Sequence, residues 1–163
     1  LLLNAGHEAT VHSLGNAVKS LLEHGTPSSA LGPDRIGATV EEVLRFDPPL
    51  HMFTRFAYED IDLGGITLQQ GNEIALVLGA AGRDPALYDA PHHFNPARAA
   101  KPHTAFGGGL HFCVGAPLAR LELQIALPAL FAHLPNIQLA KPPRYAMSYH
   151  FHKLDQLLID PRF

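Results

Sequence analysis

Residues 106 to 120 read Phe-Gly-Gly-Gly-Leu-His-Phe-Cys-Val-Gly-Ala-Pro-Leu-Ala-Arg, and they contain the one cysteine of the chain, Cys113. The glycines at 107 to 109 allow the backbone to turn tightly and to approach a large, flat partner closely. A helical pattern begins at Ala116, and a helix N-terminus favours the thiolate form of a nearby cysteine over the thiol. The stretch alone leaves a second interpretation open, a buried cysteine beside a flexible loop, because free cysteines are often simply buried.

The composition is that of a globular protein, with 163 residues of which 47% are apolar. This length is enough for one domain with its own core. A net charge of −3 is too weak to indicate nucleic acid or an acidic membrane as a partner. One cysteine forms no internal disulfide and fits a reducing compartment, so a cytoplasmic location is expected. There is no run of about 18 apolar residues and no signal-peptide pattern, so no membrane segment is expected.

The chain begins abruptly, with Leu1-Leu2-Leu3 and no capping residue before them. Its only methionines are Met52 and Met147. We therefore expect residue 1 to lie inside a helix whose earlier turns are missing. On this interpretation the natural chain is longer, or the sequence is a fragment.

Three segments have the apolar spacing of helices, namely residues 1–24, 38–46 and 116–133. Gly25 follows the first of them and is a typical helix terminator. Pro128 lies inside the last one, and a proline there is expected to kink the helix or to end it early.

Residues 53–79 alternate between apolar and polar positions and are broken at Gly64-Gly65 and at Gly71-Asn72. This pattern predicts a small antiparallel sheet. Residues 80–105 are rich in turn formers and predict a long loop, and residues 145–159 predict a last hairpin. The predicted fold is mainly α with a small antiparallel β-sheet (α+β).

The cysteine stretch, Phe106-Gly107-x-Gly109-x-His111-x-Cys113-x-Gly115 followed by Ala-Pro-Leu-Ala-Arg120, resembles the haem-binding signature of the cytochrome P-450 family in its bacterial soluble form. Three further motifs occur in the family's order. Residues 5–10 (Ala-Gly-His-Glu-Ala-Thr) resemble the oxygen-activating turn of the distal helix, residues 42–45 resemble the buried Glu-x-x-Arg pair, and residues 94–98 resemble the segment whose arginine joins that pair. The resemblance implies that residues 1–163 are one partial domain, the C-terminal part of the P-450 fold, with the N-terminal half absent.

The resemblance also implies the cofactor, haem (iron protoporphyrin IX), with Cys113 as the axial ligand of the iron. Electron donation from a thiolate ligand favours O–O cleavage. His111 and Arg55 are expected to bind the haem propionates, and a guanidinium suits a carboxylate well. For His111 a neutral ring bonded to a backbone carbonyl is the alternative. The other cofactor-binding residues implied are Phe106, which would shield the sulfur, Gly107 and Gly115.

Glu42 and Arg45 stand at i and i+3, on one face of the predicted helix. The resemblance implies a buried pair, joined by Arg98, that fixes the cysteine loop of residues 106–115. The alternative is an exposed ion pair of little worth. The neighbouring Glu41 is expected to face solvent.

The catalytic residues implied are Glu8, Ala9 and Thr10. Splitting oxygen requires two protons, and the family uses a carboxylate with an adjacent hydroxyl as the relay. Here Ala9 occupies the hydroxyl position. Thr10 comes one residue later, which on a helix is a rotation of about 100°, so it does not simply substitute. Three consequences stay open: water or a substrate hydroxyl fills the gap, oxygen use couples poorly to product, or the enzyme uses peroxide or catalyses another reaction.

The function implied is that of a haem-thiolate monooxygenase, which inserts one oxygen atom from O2 into a small apolar organic substrate. Electrons would come from a ferredoxin or flavin-type donor that docks on the cysteine side. Arg120 and Lys101 are candidate contacts for it, and solvated surface charge is the alternative for both. The substrate-facing residues implied, each of which equally fits ordinary packing, are Asn4, Ala5, Leu50, His51, Met52, Tyr149, His150 and Phe151.

Three other interpretations compete with this one. A zinc site would draw on His103, His111 and Cys113 with His150-x-His152, although the spacing matches no common zinc pattern. A thiol hydrolase would pair Cys113 with a histidine. The third is an incomplete fragment or inert haem-binding module, without monooxygenase activity, that exposes the apolar faces the missing half would cover.

Overall fold

The structure is a computed structural model that describes residues 2–99 and 101–162, with the side chains from residue 5 onward. In this part of the chain there are four α-helices: α1 (Leu2–Glu23), α2 (Ile36–Phe46), α3 (Leu78–Ala81) and α4 (Ala116–His133). Short 3-10 helices lie at Ser28–Leu31 and Gly109–His111. The strands are β1 (Met52–Phe56), β2 (Ile61–Leu63), β3 (Ile66–Leu68), β4 (Glu73–Val77), β5 (Gln138–Leu139), β6 (Arg144–Tyr145), β7 (Leu154–Gln156) and β8 (Ile159–Asp160). The mainly helical class with small antiparallel sheets is confirmed.

The core lies where α1, α2 and α4 meet. Each helix contributes apolar residues at helical spacing, so that one stripe of each faces the other two. The buried members are Ala17, Val18 and Leu21 of α1, Ile36, Val40, Val43 and Leu44 of α2, and Leu123 and Leu127 of α4, together with Leu31 of the short 3-10 helix before α2. Only the C-terminal half of α1 takes part, and its N-terminal half extends beyond this core.

Helix α4 runs to His133 through Pro128, so the expectation that this proline ends the helix early is wrong. A proline removes one backbone hydrogen bond and costs several kcal/mol in an isolated helix. Leu123 and Leu127 are fully buried before it, and tertiary packing of this kind provides most helix stability in proteins.

Residues 53–79 form two separate two-stranded sheets rather than the one predicted. Strands β1 and β4 pair antiparallel, with Met52 opposite Val77. Strands β2 and β3 form a hairpin joined by Gly64 and Gly65, whose φ angles are 59° and 85°. Positive φ at both central residues is what the tight two-residue turn requires, and glycine adopts it at little cost.

The tail folds back through two more pairs of strands, β5 with β8 and β6 with β7. Asp47, at the end of α2, anchors it: this buried carboxylate accepts a hydrogen bond from Tyr145 and pairs with Lys19 Nζ (3.0 Å) and His152 Nε2 (3.1 Å). Within the described ranges, no helix has the length and apolar content to cross a membrane.

Candidate functional site

A cavity of about 560 Å³ lies between the N-terminal half of α1, strand β1 and the cysteine loop. Its walls are mostly apolar, and its size suits a small-molecule or cofactor site. The lining residues include Ala5, Gly6, Ala9, Thr10 and Ser13 of α1, Phe53 and Arg55 of β1, Phe106, Gly107, His111, Cys113 and Gly115 of the loop, and Leu118, Ala119 and Glu122 of α4. We refer to it as the cysteine cavity.

The cysteine loop presents Cys113 to this cavity. Gly107 and Gly109 have φ angles of 72° and 62°, in the left-handed region where residues with a Cβ are strained. The Cys113 amide donates to the Phe106 carbonyl (3.0 Å), which closes the loop, and the Cys113 carbonyl accepts from the Ala116 amide (3.2 Å) at the start of α4. The cysteine is free and exposed, so the buried-cysteine interpretation is wrong.

His111 and Arg55 line the same cavity from different elements. Arg55 lies on β1 opposite Ile74, and its Nη1 donates to the Thr54 carbonyl (2.8 Å). A guanidinium and an imidazole in one mostly apolar cavity are the groups that would bind carboxylates on an apolar ligand.

On α1, Ala9 and Thr10 both line the cavity, because it is wide enough to contact neighbouring positions of the helix. The Thr10 hydroxyl donates to the Gly6 carbonyl (2.9 Å). Glu8 does not line the cavity: it is exposed, and its Oε1 lies 3.5 Å from both His12 Nε2 and Lys153 Nζ. The structure therefore brings two of the three predicted catalytic positions to the cavity and places the carboxylate outside it.

Ser13 is a further residue of the site, and none of the motifs indicated it. This buried residue lines the cavity, and its hydroxyl donates to the Ala9 carbonyl (2.9 Å). It stands four residues after Ala9, and residues four apart lie on one helix face. Helical spacing from Ala9 was therefore a signal that could have found it.

Among the predicted substrate-facing residues, Ala5 and Leu50 are placed on the cysteine cavity, and the Asn4 side chain lies outside the described residues. His51 and Met52 line a separate hollow of about 360 Å³ together with Asp47 and Arg83. His150 is exposed against the ring of Tyr149, at 4.7 Å between ring centroids.

The alternation of β1 explains this placement of Met52. Successive side chains of a strand point to opposite faces. Phe53 and Arg55, two residues apart, share the face that lines the cysteine cavity, and Met52 has the other face.

Glu42 and Arg45 form a buried pair, so the alternative of an exposed pair is wrong. Glu42 is 4% exposed and Arg45 is 3% exposed. The Arg45 guanidinium donates two hydrogen bonds to the Glu42 carboxylate, from Nε (2.7 Å) and Nη2 (2.8 Å). Arg98 Nε lies 3.3 Å from the same carboxylate. The backbone N–H of Asn95 donates to Glu42 Oε1 (2.7 Å).

The other contacts of this network go to the segment 82–98. Arg45 donates to the carbonyls of Gly82 (2.7 Å) and Pro91 (2.9 Å). Arg98 donates to the carbonyls of Asp89, Ala90 and His93. The network therefore fixes the segment 82–98 against α2, and none of these hydrogen bonds reaches the cysteine loop.

Glu41 was expected to face solvent, but its carboxylate connects α2 to α4 and to His103. Arg120 of α4 donates to its two oxygens from Nε (2.6 Å) and Nη2 (3.0 Å), and His103 Nε2 lies 3.1 Å from Oε2. Burial of the carboxyl would raise its pKa, but the hydrogen bonds and charges of His103 and Arg120 outweigh this and lower the pKa of Glu41 to about 2. Sequence reasoning missed this contact because the partners are distant along the chain.

Glu41→Gln is expected to remove a stabilisation that depends on pH. The folded pKa of about 2 lies below the ordinary value of 4.5, so the contribution is complete above pH 4.5 and is lost as pH falls towards 2. The difference in free energy of unfolding between wild type and variant, measured in urea at several pH values, should shrink over this window.

The matched control is Asp155→Asn, which removes the carboxylate of an exposed ion pair with Arg144. It should change the free energy of unfolding little at any pH. A Glu41→Gln difference that stays constant from pH 7 to pH 3 would contradict the assignment.

Comparison with known proteins agrees with the site. The Cytochrome P450 family model matches residues 36–141. A biotin biosynthesis cytochrome P450 of Bacillus subtilis is 44% identical over 160 residues, which is 96% of this chain and 40% of that protein. The cytochrome P450 monooxygenase PikC of Streptomyces venezuelae is 42% identical over 146 residues, which is 88% of this chain and 35% of that protein.

Among solved structures, the crystal structure of P450BioI in complex with an acyl carrier protein ligated to hexadec-9Z-enoic acid superposes with a TM-score of 0.91 and 44% identity. The match covers 95% of this chain and 41% of that one. The chain belongs to the cytochrome P450 family. It spans about 40% of the length of the relatives it matches, or somewhat less.

The cofactor of this family is haem, and the residues of the cysteine cavity fit it. The cavity is large and mainly apolar, an exposed thiol stands on one wall, and two groups that pair with carboxylates stand at Arg55 and His111. Elsewhere in the described ranges, no three His, Cys, Asp or Glu side chains come together as ligands for a metal ion.

Proposed function

We propose that the whole protein is a haem-thiolate monooxygenase, and that the cysteine cavity holds the haem with Cys113 as the axial ligand. The observation that carries the proposal is the exposed Cys113 on the wall of a 560 Å³ apolar cavity whose facing wall is helix α1. When bound, haem supplies O2 activation, and a thiolate ligand favours O–O cleavage by electron donation.

The residues of this chain have separate roles in the proposal. Arg55 and His111 bind and orient the two carboxylates of the cofactor. Phe106 shields the sulfur from water, and Gly107 allows the close approach of the loop. The hydroxyls of Thr10 and Ser13 lie on the cavity wall and donate to the Gly6 and Ala9 carbonyls, so their Oγ atoms would accept a hydrogen bond from a water that carries protons to the cofactor.

The proposed substrate is a small apolar organic molecule. The cavity is lined towards β1 by Pro49, Leu50 and Phe53, which suit an apolar ligand. P450BioI, at 44% identity, was crystallised with a fatty acyl group on its carrier protein, which supports a long-chain acyl group as the first probe.

Electrons are proposed to come from a ferredoxin or flavin-type donor that docks on the cysteine side. Of the two candidate contacts, Arg120 is already paired with Glu41, and Lys101 Nζ donates to the Leu87 carbonyl. A cytoplasmic location is part of the proposal, because a lone cysteine fits a reducing compartment.

The test is oxygen labelling in the haem-loaded whole protein. The protein is supplied with ¹⁸O2, a ferredoxin with its reductase, and a panel of apolar probes: hexadec-9Z-enoic acid, a steroid and a macrolide. The proposal predicts a product with one ¹⁸O atom. Haem-loaded protein that consumes reductant without an oxygenated product from any probe would favour the inert haem-binding module instead.

Ala9→Thr is expected to raise the share of electrons that end in product, several-fold, with less peroxide released. The substitution places a hydroxyl on the cavity wall at a position that now has a methyl group, and a positioned proton donor accelerates such steps. Product and peroxide are measured together per electron consumed.

Val11→Thr is the matched control, because it adds the same hydroxyl two residues further along, at a side chain that is 49% exposed. This control should leave the ratio of product to peroxide unchanged. Equal ratios in wild type and Ala9→Thr would show that proton delivery does not limit the reaction at this position.

A further inference from the structure

The two adjacent glutamates of α2 bind different parts of the molecule. Glu42 faces Arg45, Arg98 and the segment 82–98. Glu41 faces α4 and the start of the cysteine loop, through Arg120 and His103. Residues one apart on a helix differ in direction by about 100°, so each carboxylate serves its own neighbour.

The hydrogen bonds of Glu41 fix the orientation of the His103 and Arg120 side chains. The backbone amide of Ala105 donates to His103 Nδ1 (3.2 Å), so Nδ1 is the acceptor and Nε2 is the nitrogen that bears a hydrogen towards Glu41. His103 Nε2 therefore donates to Glu41. Arg120 adds a two-point contact, which holds its guanidinium in one orientation as well as at one distance.

This orientation sets Arg120 against the ring of Phe106. Its Cζ lies 4.5 Å from the ring centroid, within the range of a cation–π contact. The Phe106 ring lines the cysteine cavity, and its carbonyl accepts the Cys113 amide (3.0 Å). A chain of contacts thus runs from Glu41 through Arg120 and Phe106 to Cys113.

We infer that Glu41 and Arg120 are positioning residues for the thiolate: Glu41 holds Arg120 on the ring of Phe106, whose carbonyl accepts the Cys113 amide, so that a fixed positive charge stands at the cysteine loop. The inference rests on the proposed function, in which Cys113 ligates the haem iron. A cation beside the ligand stabilises negative charge on the sulfur and moderates its electron donation, and such outer contacts are a principal means by which a protein adjusts a bound iron.

The electrostatics of Arg120 agree with this arrangement. The hydrogen bond to Glu41 raises the pKa of Arg120, partial burial opposes this, and the charges of Glu41 and Cys113 raise it further. The side chain of Arg120 is 31% exposed and that of Glu41 is 26% exposed, so the pair is partly shielded from water.

The test measures the local charge at Cys113 without haem. In the whole protein without haem, alkylation of the exposed Cys113 is followed on its own peptide by mass spectrometry. Iodoacetate carries a negative charge and iodoacetamide is neutral, and both react with the thiolate. The ratio of their rates at one pH therefore reports the potential at the sulfur, largely independent of the thiolate fraction.

The inference predicts that Arg120→Gln lowers the iodoacetate-to-iodoacetamide ratio roughly two- to threefold at low salt. Glu41→Gln should lower it too, because Arg120 leaves Phe106. A purely electrostatic effect of Glu41 would raise the ratio instead, since a negative charge is removed. Arg120→Lys, which keeps the charge but loses the two-point contact, should give an intermediate ratio.

Arg144→Gln removes an exposed arginine from an ion pair far from the loop in sequence and is the matched control, expected to leave the ratio unchanged. Unchanged ratios in Arg120→Gln and Glu41→Gln, with far-UV circular dichroism like wild type, would overturn the inference. If either variant unfolds, Arg120→Lys is measured in its place. An iodoacetate-to-iodoacetamide ratio in Arg120→Lys equal to that of wild type would also overturn the inference. Loss of haem binding by the wild type would instead contradict the proposed function, and the ratios would still decide the inference.

Discussion

Glu42→Gln is expected to lower the free energy of unfolding by about 3–5 kcal/mol. The substitution keeps the shape of the side chain but leaves the charge of Arg45, which is 3% exposed, without its carboxylate. The segment 82–98 also loses the carboxylate that Arg98 and the backbone N–H of Asn95 contact. Urea unfolding followed by circular dichroism measures the effect.

The matched control for Glu42→Gln is Asp155→Asn, in the exposed pair with Arg144; the side chains of Asp155 and Arg144 are 48% and 76% exposed. Exposed pairs contribute only about 0–1 kcal/mol, so this variant should unfold almost like wild type. A loss below about 1 kcal/mol in Glu42→Gln would show that the buried network is not what holds the segment 82–98.

Leu44→Ala is expected to lower the free energy of unfolding by about 2–5 kcal/mol. Leu44 is 2% exposed, belongs to the core between the helices and also lines the cysteine cavity. The variant loses buried apolar surface, and the cysteine cavity grows at the same time. Urea unfolding gives the stability.

The control for Leu44→Ala is Leu110→Ala, on a residue of the cysteine loop that is 96% exposed. Its truncation removes almost no buried surface and should change stability by less than about 0.5 kcal/mol. Similar losses in the two variants would mean that Leu44 does not belong to the core.

The elements with a local signal were predictable from sequence. The helix 116–133 was predicted with the bounds that the structure has, because apolar spacing after a glycine-rich turn is a local pattern. The split of residues 53–79 into two sheets was not predicted. Alternation shows that strands exist, but strand pairing depends on contacts distant in sequence.

The same limit applies to the site. Cys113, Phe106 and His111 lie close together in sequence, and the structure places them on one cavity. The expectations for His51 and Met52 did not use the alternation of β1, which turns Phe53 and Arg55 towards the cavity. Ion-pair partners were the hardest case, because a sequence shows that a carboxylate is present and not which cation reaches it.

Glu8 is the position where the structure departs most from the implied relay. Its carboxylate contacts His12 and Lys153 outside the cavity, whereas Thr10 and Ser13 lie on the wall. Whether the reaction is limited by the missing hydroxyl at position 9 is the question that Ala9→Thr addresses.

The most direct test of the central claim is the absorption spectrum of the reduced protein under carbon monoxide after haem is added. Thiolate ligation by Cys113 predicts a Soret band shifted far to the red, which Cys113→Ala abolishes and Leu110→Ala retains. A band typical of nitrogen ligation in the wild type, or a red-shifted band that survives in Cys113→Ala, would contradict the assignment of Cys113 as the iron ligand.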